Sequence, residues 1–180
     1  MTMSAPARAR LDLPARVALL RIAFGVLWAI DASFKWRPAF SRDYLRYLQA
    51  AAASQPAWIK PWFDFWQHVV SVDPALFAFF TALGESAIAL GLLLGLARRL
   101  DYAAGFLMSV LIWTTAEGFG GPYTAGSTDV GSAIIYAFVF AGLYGLDELA
   151  GAARFSLDPR IERRWKAWRR LAGPGGSGGQ

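Results

Sequence analysis

The sequence predicts an all-α integral membrane protein: a four-helix bundle with short extracytoplasmic interfacial helices between helices 1 and 2. Hydrophobic residues make up 56% of the 180 positions, and the mean hydropathy is +0.34. An ordinary soluble domain has only about 45–50% apolar residues. Four apolar segments are each long enough to cross the ~30 Å hydrocarbon core of a bilayer. Basic residues are concentrated in the segments that lie on one side of these spans.

The first predicted span covers residues 15–36 and follows a cytoplasmic N-terminal tail, residues 1–14. Prolines flank the segment, and proline is tolerated in the first turn of a helix. At ~100° per residue, its polar and small residues fall on one stripe and its opposite side is aliphatic. A charge facing lipid at mid-bilayer costs at least ~2.5–3.5 kcal/mol, so the stripe is expected to face other helices. Its members are Arg21, Gly25, Trp28, Asp31 and Lys35.

Residues 37–73 form an extracytoplasmic insert of different composition, with four basic residues and three prolines. Helix formers in residues 41–54 and tryptophans at helical spacing in residues 57–70 predict two short helices. Tryptophan favours the membrane–water interface because its ring is apolar and its N–H needs a partner. The two helices are therefore expected to cover the mouth of the bundle or to lie along the lipid headgroups.

Three further apolar segments complete the predicted transmembrane domain, residues 15–149. The second span carries Glu85 near its middle, the third carries Glu117 near its far end, and the fourth begins at Asp129. Tyr136 lies on the same helical stripe as Asp129. The three segments cover residues 74–97, 101–121 and 128–149.

The placement of lysine and arginine predicts the orientation, since cytoplasmic segments carry the excess. The N-terminal tail, the loop after the second span and the C-terminal segment hold twelve basic residues, whereas the insert holds four. Both termini are therefore predicted to be cytoplasmic, in a multi-pass protein of the inner (plasma) membrane. Residues 150–180 are predicted to form a basic, flexible cytoplasmic tail that can lie on anionic lipid. No nucleic-acid partner is expected.

Depth along each span, estimated from the ~1.5 Å rise per residue, places Arg21 within reach of Glu85 on the second helix. The pair has two interpretations. It is either a buried ion pair that fixes helix register, or part of a site that relays protons or binds a polar headgroup.

A second polar cluster is predicted nearer the extracytoplasmic surface. It would place three carboxylates beside one lysine, and the excess negative charge would need protons, solvent or a ligand. Such a site suits acid–base chemistry on a quinone or a cation. The cluster consists of Asp31, Lys35, Glu117 and Asp129. For Asp31 and Lys35, the alternative is a simple i,i+4 pair on one helix.

Cysteine is absent, and His68 is the single histidine. The chain alone therefore cannot build a thiol redox pair, a cysteine-ligated iron–sulfur cluster, a c-type haem or a two-histidine haem site. No metal site is predicted. A redox role requires a diffusible carrier such as a quinone, or a cofactor held by a partner subunit.

Three stretches of the chain resemble the DoxX-like membrane family. RIAFGVLWAIDASFKW is similar to the family's first helix, and GESAIALGLLLGLARR to its second. The long insert and AEGFGGPYTAGSTDVGSAIIY are closer to the DoxD branch, the small membrane subunit of thiosulfate:quinone oxidoreductase. The resemblance covers residues 16–149 and implies a second protein subunit. Its matching positions are Arg21, Gly25, Lys35 and Glu85.

These observations favour a membrane subunit of a quinone-linked oxidoreductase, which passes electrons from a small reductant such as thiosulfate to quinone. The alternatives are a non-catalytic membrane anchor or assembly partner of a larger complex, and a small transporter or lipid-handling protein. The expected partners are the lipid bilayer and either a second subunit or further copies of the chain. The candidate catalytic residues are Glu85, Glu117 and Asp31, and the candidate quinone-binding residues are Arg21, Lys35, Asp129, Tyr136 and Trp28.

Overall fold

The computed structural model describes residues 11–53, 55–121, 130–151 and 153–174, and within these ranges it is helical without β-strands. The predicted all-α class is confirmed for this part of the chain. Two short 3₁₀ helices, Gly118–Gly120 and Lys166–Trp168, accompany the α-helices. The latter are α1 (Leu13–Lys35), α2 (Pro38–Ala53), α3 (Lys60–Ser71), α4 (Pro74–Leu94), α5 (Arg98–Thr114), α6 (Ser132–Ala150), α7 (Asp158–Arg164) and α8 (Arg169–Ala172).

Three of these helices, α1, α4 and α6, are long and apolar enough to cross a membrane, with mean hydropathies of 1.8, 1.8 and 1.5 over 18 residues. Helix α5 corresponds to the third predicted span. It has 17 residues, and its first four residues include Arg98, Arg99 and Asp101. Helix α5 is therefore shorter and more polar at its start than the three candidate spans, and a bundle of four spans stays a prediction.

The helix in the third predicted span is shorter than residues 101–121, because α5 ends at Thr114. Thr115 leaves the helical conformation, with φ −110° and ψ −80°. Glycine in a helix costs about 1 kcal/mol relative to alanine, and glycine occupies three of the four positions from 118 to 121. Glu117 consequently lies in a turn beyond α5 rather than inside a membrane-spanning helix.

Helices α1 and α4 both begin with an aspartate cap that is followed by a proline. The side chain of Asp12 accepts a hydrogen bond from the Ala15 amide at 3.1 Å, and that of Asp73 accepts one from the Leu76 amide at 3.0 Å. Each cap satisfies an amide that has no partner inside its helix. Proline in the first turn removes no internal hydrogen bond. The N-terminal ends of α1 and α4 are therefore determined by local hydrogen bonds and by proline.

The core lies where α1, α4, α5 and α6 meet. Helix α1 packs on α4, α4 on α5, α5 on α6 and α6 on α1. The ring centroids of Phe24 and Trp28 each lie 5.0 Å from that of Phe140, in the edge-to-face arrangement that aromatic rings prefer. The Tyr136 ring is 5.6 Å from both Phe24 and Trp28. These four rings hold α1 against α6.

Close packing of α5 on α6 depends on Gly105, where an added Cβ would lie 2.2 Å from the Phe140 ring. We expect Gly105→Ala to lower the free energy of unfolding by about 1–3 kcal/mol through overpacking, measured by denaturant titration in detergent. Gly142→Ala is the matched control, because nothing lies within 4 Å of the added Cβ. Equal stability of the two variants would contradict this account.

The outward faces of the long helices are apolar. Leu27 on α1 is 60% exposed, Phe80 on α4 is 57% exposed and Phe138 on α6 is 72% exposed. Isolated exposed hydrophobic residues are common on soluble proteins, but large contiguous apolar surfaces mark contact with lipid or another protein. The three candidate spans therefore present a surface suited to contact with a bilayer.

The two short helices predicted in the insert are confirmed as α2 and α3, and α2 packs on both α3 and α4. The Trp62 indole N–H donates to the Thr114 carbonyl at 2.8 Å. The Gln55 side-chain amide donates to the Gly118 carbonyl at 2.9 Å. Carbonyls at and beyond the C-terminal end of a helix lack internal partners, and here the insert supplies them. The insert thus closes over the C-terminal end of α5.

The prediction of a flexible C-terminal tail is wrong for residues 153–174. This stretch forms α7, the second 3₁₀ helix and α8, and it packs at the end of the long helices opposite to the insert. The Leu157 amide donates to the Leu94 carbonyl at 3.0 Å, and the Asp158 amide donates to the Gly95 carbonyl at 3.3 Å. Backbone hydrogen bonds therefore attach the stretch to the turn between α4 and α5, which its basic composition did not indicate.

Candidate ligand-binding site

Lys35, at the end of α1 that adjoins the insert, joins two carboxylates. Its Nζ lies 2.9 Å from Oδ2 of Asp31 and 3.1 Å from Oε2 of Glu85 on α4. The Asp31 side chain is 46% exposed, whereas that of Glu85 is 1% exposed. The i,i+4 pair of Asp31 and Lys35 is thus confirmed. The sequence did not predict that Lys35 would also pair with the buried glutamate.

The predicted pair of Arg21 and Glu85 is wrong. The Arg21 guanidinium donates to the Leu92 carbonyl and, at 2.6 Å, to the Phe155 carbonyl. Leu92 lies seven residues beyond Glu85, which is about 10 Å along the helix axis. It belongs to the last turn of α4, whose carbonyls lack partners within the helix. Arg21 therefore acts as a helix-end cap, and Lys35 supplies the cation for Glu85.

A cavity of about 470 Å³ lies between α2, α4 and α5 and is bordered by Glu85 and Lys35. Oε1 of Glu85 is buried and has no hydrogen-bond partner within the described part of the chain. Buried polar atoms are nearly always hydrogen-bonded, so this carboxylate oxygen can accept a further hydrogen bond. The remaining wall is mainly apolar and includes Phe40, Leu111 and Ile112.

Tyr44 supplies a polar edge to this cavity. Its hydroxyl lies 2.8 Å from Oγ1 of Thr81, and the Thr81 hydroxyl donates to the Phe77 carbonyl at 2.9 Å. Because Thr81 has donated its hydrogen, the Tyr44 hydroxyl is the donor of the pair. Burial raises the pKa of the Tyr44 phenol above its ordinary value, so the hydroxyl keeps its proton. The edge is therefore neutral, and the charges at the cavity are those of Glu85, Lys35 and Arg37.

Two aromatic rings border the cavity beside its cations. Nζ of Lys35 lies 5.7 Å from the centroid of the Phe40 ring, and the guanidinium of Arg37 lies 4.6 Å from that of Phe34. A cation over an aromatic face is attracted by the negative π-cloud. Arg37 is exposed and also borders the cavity, so a positive charge stands at its opening.

Glu117 occupies a different place from the one predicted. Its carboxylate accepts hydrogen bonds from the Ser132 hydroxyl at 2.7 Å and from the Ala133 amide at 3.0 Å. A carboxylate at the N-terminus of a helix is favoured by the helix dipole, and Glu117 caps α6 in this way. Asp129, the fourth member of the predicted outer cluster, lies outside the described residues. The structure thus joins Asp31 and Lys35 to Glu85 instead of Glu117.

Trp28 and Tyr136, two predicted quinone-binding residues, lie in the aromatic core rather than along the cavity. The Trp28 indole N–H donates to the backbone carbonyl of Glu85 at 3.1 Å. This bond holds the α4 backbone at the residue that carries the carboxylate. Trp28 therefore positions Glu85 from behind, while Tyr136 packs against Trp28 and Phe24.

A second buried ionic cluster, which the sequence did not indicate, lies at the opposite end of the long helices. We call it the ionic centre; its members are Arg98, Asp147 and Asp158, with side chains 2%, 7% and 0% exposed. Nη1 of Arg98 donates to the Asp147 carboxylate on α6, and Nε donates to Asp158 at 3.0 Å. The centre connects α5, α6 and the C-terminal stretch.

Asp158 has further donors besides Arg98. The Ala97 amide donates to its carboxylate at 2.7 Å, and the Trp168 indole N–H donates at 2.8 Å. Asp158 thus caps the start of α5 and binds the second 3₁₀ helix with one side chain. Each buried charge of the ionic centre has hydrogen-bonded partners, which is the condition under which buried charges are tolerated.

Metal binding has little support in the described ranges. No group of three or more histidine, cysteine, aspartate or glutamate side chains in them is arranged to hold a metal ion. The chain also has no cysteine. The candidate functional site is the cavity beside Glu85, which combines one carboxylate, the cations of Lys35 and Arg37, and a mainly apolar wall.

Comparisons with known proteins identify no relative of this chain. No family model, no curated protein and no solved structure matches the chain. The resemblance to the DoxX-like family consequently stays a prediction based on the three stretches quoted above.

Proposed function

We propose that this chain is a four-span membrane protein, with α5 as the fourth span, that binds a quinone in the cavity beside Glu85. It would serve as the membrane subunit of a quinone-linked oxidoreductase of the thiosulfate:quinone type. The observation that carries this proposal is the buried, unpaired Oε1 of Glu85 at the edge of a mainly apolar cavity.

The size and lining of the cavity support a quinone. Ligand pockets commonly enclose about 300–1,000 Å³ and combine apolar walls with a few polar groups that orient the ligand. Here Phe40, Tyr47 and Ile112 can contact a flat ring, and Glu85 can accept a hydrogen bond from a ring hydroxyl. A hydroxylated ring with a hydrocarbon tail satisfies both requirements, whereas a free ion leaves the apolar wall without contacts.

The residues around the cavity suit the proton part of the reaction. Reduction of a quinone takes up two electrons and two protons, and the reverse reaction releases them. Glu85 can exchange a proton with a ring oxygen, because Oε1 is free while Oε2 is bound to Lys35. Lys35 keeps Asp31 as a partner whichever state Glu85 adopts. The electrons would come from the reductant through a partner subunit.

An anionic reductant such as thiosulfate is consistent with the charges on the insert. Arg42 and Arg46 lie beside a single carboxylate, Asp43, and their side chains are 73% and 78% exposed. Arg37 and Lys60 are exposed as well. Clustered cations raise the local concentration of an anion and its rate of association. The excess of basic residues on the other side supports cytoplasmic termini.

Titration of the purified protein with a decyl-substituted 1,4-benzoquinone and with its hydroquinone tests the proposal. We expect Glu85→Gln to raise the dissociation constant of the hydroquinone about tenfold or more, because hydrogen bonds to charged groups contribute about 1.5–3 kcal/mol. Binding of the quinone should not be weakened, since the amide of glutamine can donate to a carbonyl and an ionised carboxylate cannot. Quenching of tryptophan fluorescence reports binding.

Glu148→Gln is the control for this experiment. Glu148 is 35% exposed and pairs with Arg99 at the opposite end of the long helices, so its substitution should leave binding unchanged. The proposal fails if the wild-type protein binds neither form of the ligand. It also fails if Glu85→Gln binds the hydroquinone as tightly as the wild type does.

A non-catalytic anchor is the second candidate function, and the aromatic outer surface of the insert favours it. Trp58 is 79% exposed and Phe65 is 57% exposed. Exposed aromatic residues of this kind are typical of protein interfaces. If anchoring is the function, Trp58→Ala with Phe65→Ala should release a partner subunit during purification, while Glu85→Gln should leave both partner and activity unchanged.

A further inference from the structure

A second, smaller chamber of about 220 Å³ lies next to the cavity beside Glu85. It extends under α3, where Trp66 and Val70 form part of its wall, and toward Phe80, which is 57% exposed on the outward face of α4. The two chambers share the wall residues Tyr44, Leu48, Thr81, Met108, Leu111 and Thr115. The two chambers are therefore adjacent.

Trp66, in the wall of the second chamber, carries an unused hydrogen-bond donor, Nε1. This atom is buried and has no partner within the described ranges. The other polar side chains of the wall already use their hydrogens: Tyr44 donates to Thr81, Thr81 to Phe77, and the Thr115 hydroxyl to Leu111 at 2.6 Å. Trp62, one turn earlier on α3, donates to a carbonyl. The free N–H of Trp66 is thus not a general feature of this helix.

We infer that the Trp66 indole N–H donates to a second oxygen of the same ligand whose first oxygen meets Glu85. The inference rests on the proposed function and narrows the ligand to a ring with oxygens on opposite sides, a 1,4-quinone or its hydroquinone. An indole can only donate, and both a carbonyl and a phenolic oxygen can accept. An ionised Glu85 and the N–H therefore suit the two ends of the hydroquinone, and a protonated Glu85 can donate to a carbonyl of the quinone.

A lipid with one polar group fits the two chambers less well. A fatty acid or a monophenol reaches either Glu85 or Trp66, and the other group then stays buried without a partner. A buried donor that loses water without gaining an acceptor weakens binding. The ring tail can leave past Phe80, where the second chamber is apolar and the outward face of α4 is exposed.

The test compares 2-decyl-1,4-hydroquinone, which has two ring oxygens, with 4-decylphenol, which has one. Trp66→Phe keeps an aromatic ring at this position and removes the donor. We expect it to raise the dissociation constant of the hydroquinone about threefold to tenfold, the range for a neutral hydrogen bond, and to leave that of the phenol unchanged. Trp58→Phe, an exposed tryptophan of the same insert, should change neither value.

A second measurement uses the wild-type protein alone. On addition of the hydroquinone, the ¹H–¹⁵N resonance of the Trp66 indole, assigned from its loss in Trp66→Phe, should move downfield. The inference is overturned if that resonance does not move, if Trp66→Phe binds the hydroquinone like the wild type, or if it weakens both probes equally. If the wild-type protein binds no quinone or hydroquinone, the proposed function itself fails, which is a distinct result.

Discussion

Replacing Arg98 by glutamine is expected to lower the free energy of unfolding by about 3–5 kcal/mol, the cost of breaking a buried ion pair by removing one partner. Arg98 is the single cation of the ionic centre and donates hydrogen bonds to Asp147 and Asp158. The two carboxylates can only accept hydrogen bonds, so neither can replace Arg98 as the partner of the other. Without the guanidinium, the buried carboxylates of Asp147 and Asp158 lose the cation that contacts both of them. Denaturant titration of the detergent-solubilised protein measures the loss.

The neighbouring arginine provides a matched control. Arg99 pairs with Glu148, and their side chains are 39% and 35% exposed. Exposed pairs contribute about 0–1 kcal/mol, so Arg99→Gln should change stability by no more than that. The two substitutions remove the same charge from adjacent residues of one helix. Similar losses would mean that burial of the ionic centre does not determine its contribution.

Replacing Lys35 by methionine is expected to destabilise the protein by about 3 kcal/mol for the same reason. Lys35 is the cation that Glu85 contacts, and the Glu85 side chain is 1% exposed. Adding Glu85→Gln to the Lys35→Met variant removes the unpaired charge and should recover most of the lost stability. The two single variants, the double variant and the wild type form a double-mutant cycle, which isolates the interaction between the two side chains.

Asp31→Asn serves as the control for this cycle. Asp31 contacts Lys35 as well, but its side chain is 46% exposed, so its loss should cost less than about 1 kcal/mol. If the double variant is no more stable than Lys35→Met, Lys35 acts through packing instead of charge. The hydroquinone titration described above then separates a structural role of Glu85 from a role in ligand binding.

Much of the helical framework could be predicted from local sequence. Capping aspartates, flanking prolines and long apolar runs fix where α1 and α4 begin, and these signals act within a few residues. The i,i+4 pair of Asp31 and Lys35 follows from helix geometry alone. The two short helices of the insert were also predictable, because tryptophans at helical spacing and flanking prolines are local features.

The partner of Glu85 could not be predicted, because depth along a span does not identify the neighbour. Rise per residue gives an axial position for Arg21, but the strongest acceptors near Arg21 are backbone carbonyls, which every residue carries. The sequence therefore offers no sign that the last turn of α4 needs a donor. Only the crossing of α1 and α4 places Lys35, and not Arg21, beside Glu85.

The ionic centre escaped prediction for a related reason. Arg98 and Arg99 are adjacent and both suggest a solvated loop, yet one is buried and the other is exposed. Asp147 falls near the end of an apolar segment, and Asp158 falls in a stretch whose composition is that of a solvated tail. The contacts cannot be recognised from local sequence, because Arg98 contacts residues that are 49 and 60 positions away.

Attachment of Asp158 and Trp168 to the start of α5 has a consequence for biosynthesis. All the long helices precede these residues in the chain, so α5 is synthesised before its last polar partners. Arg98 and the Ala97 amide gain those partners only after Asp158 has been added to the chain. The contacts at this end of the protein therefore form late in synthesis.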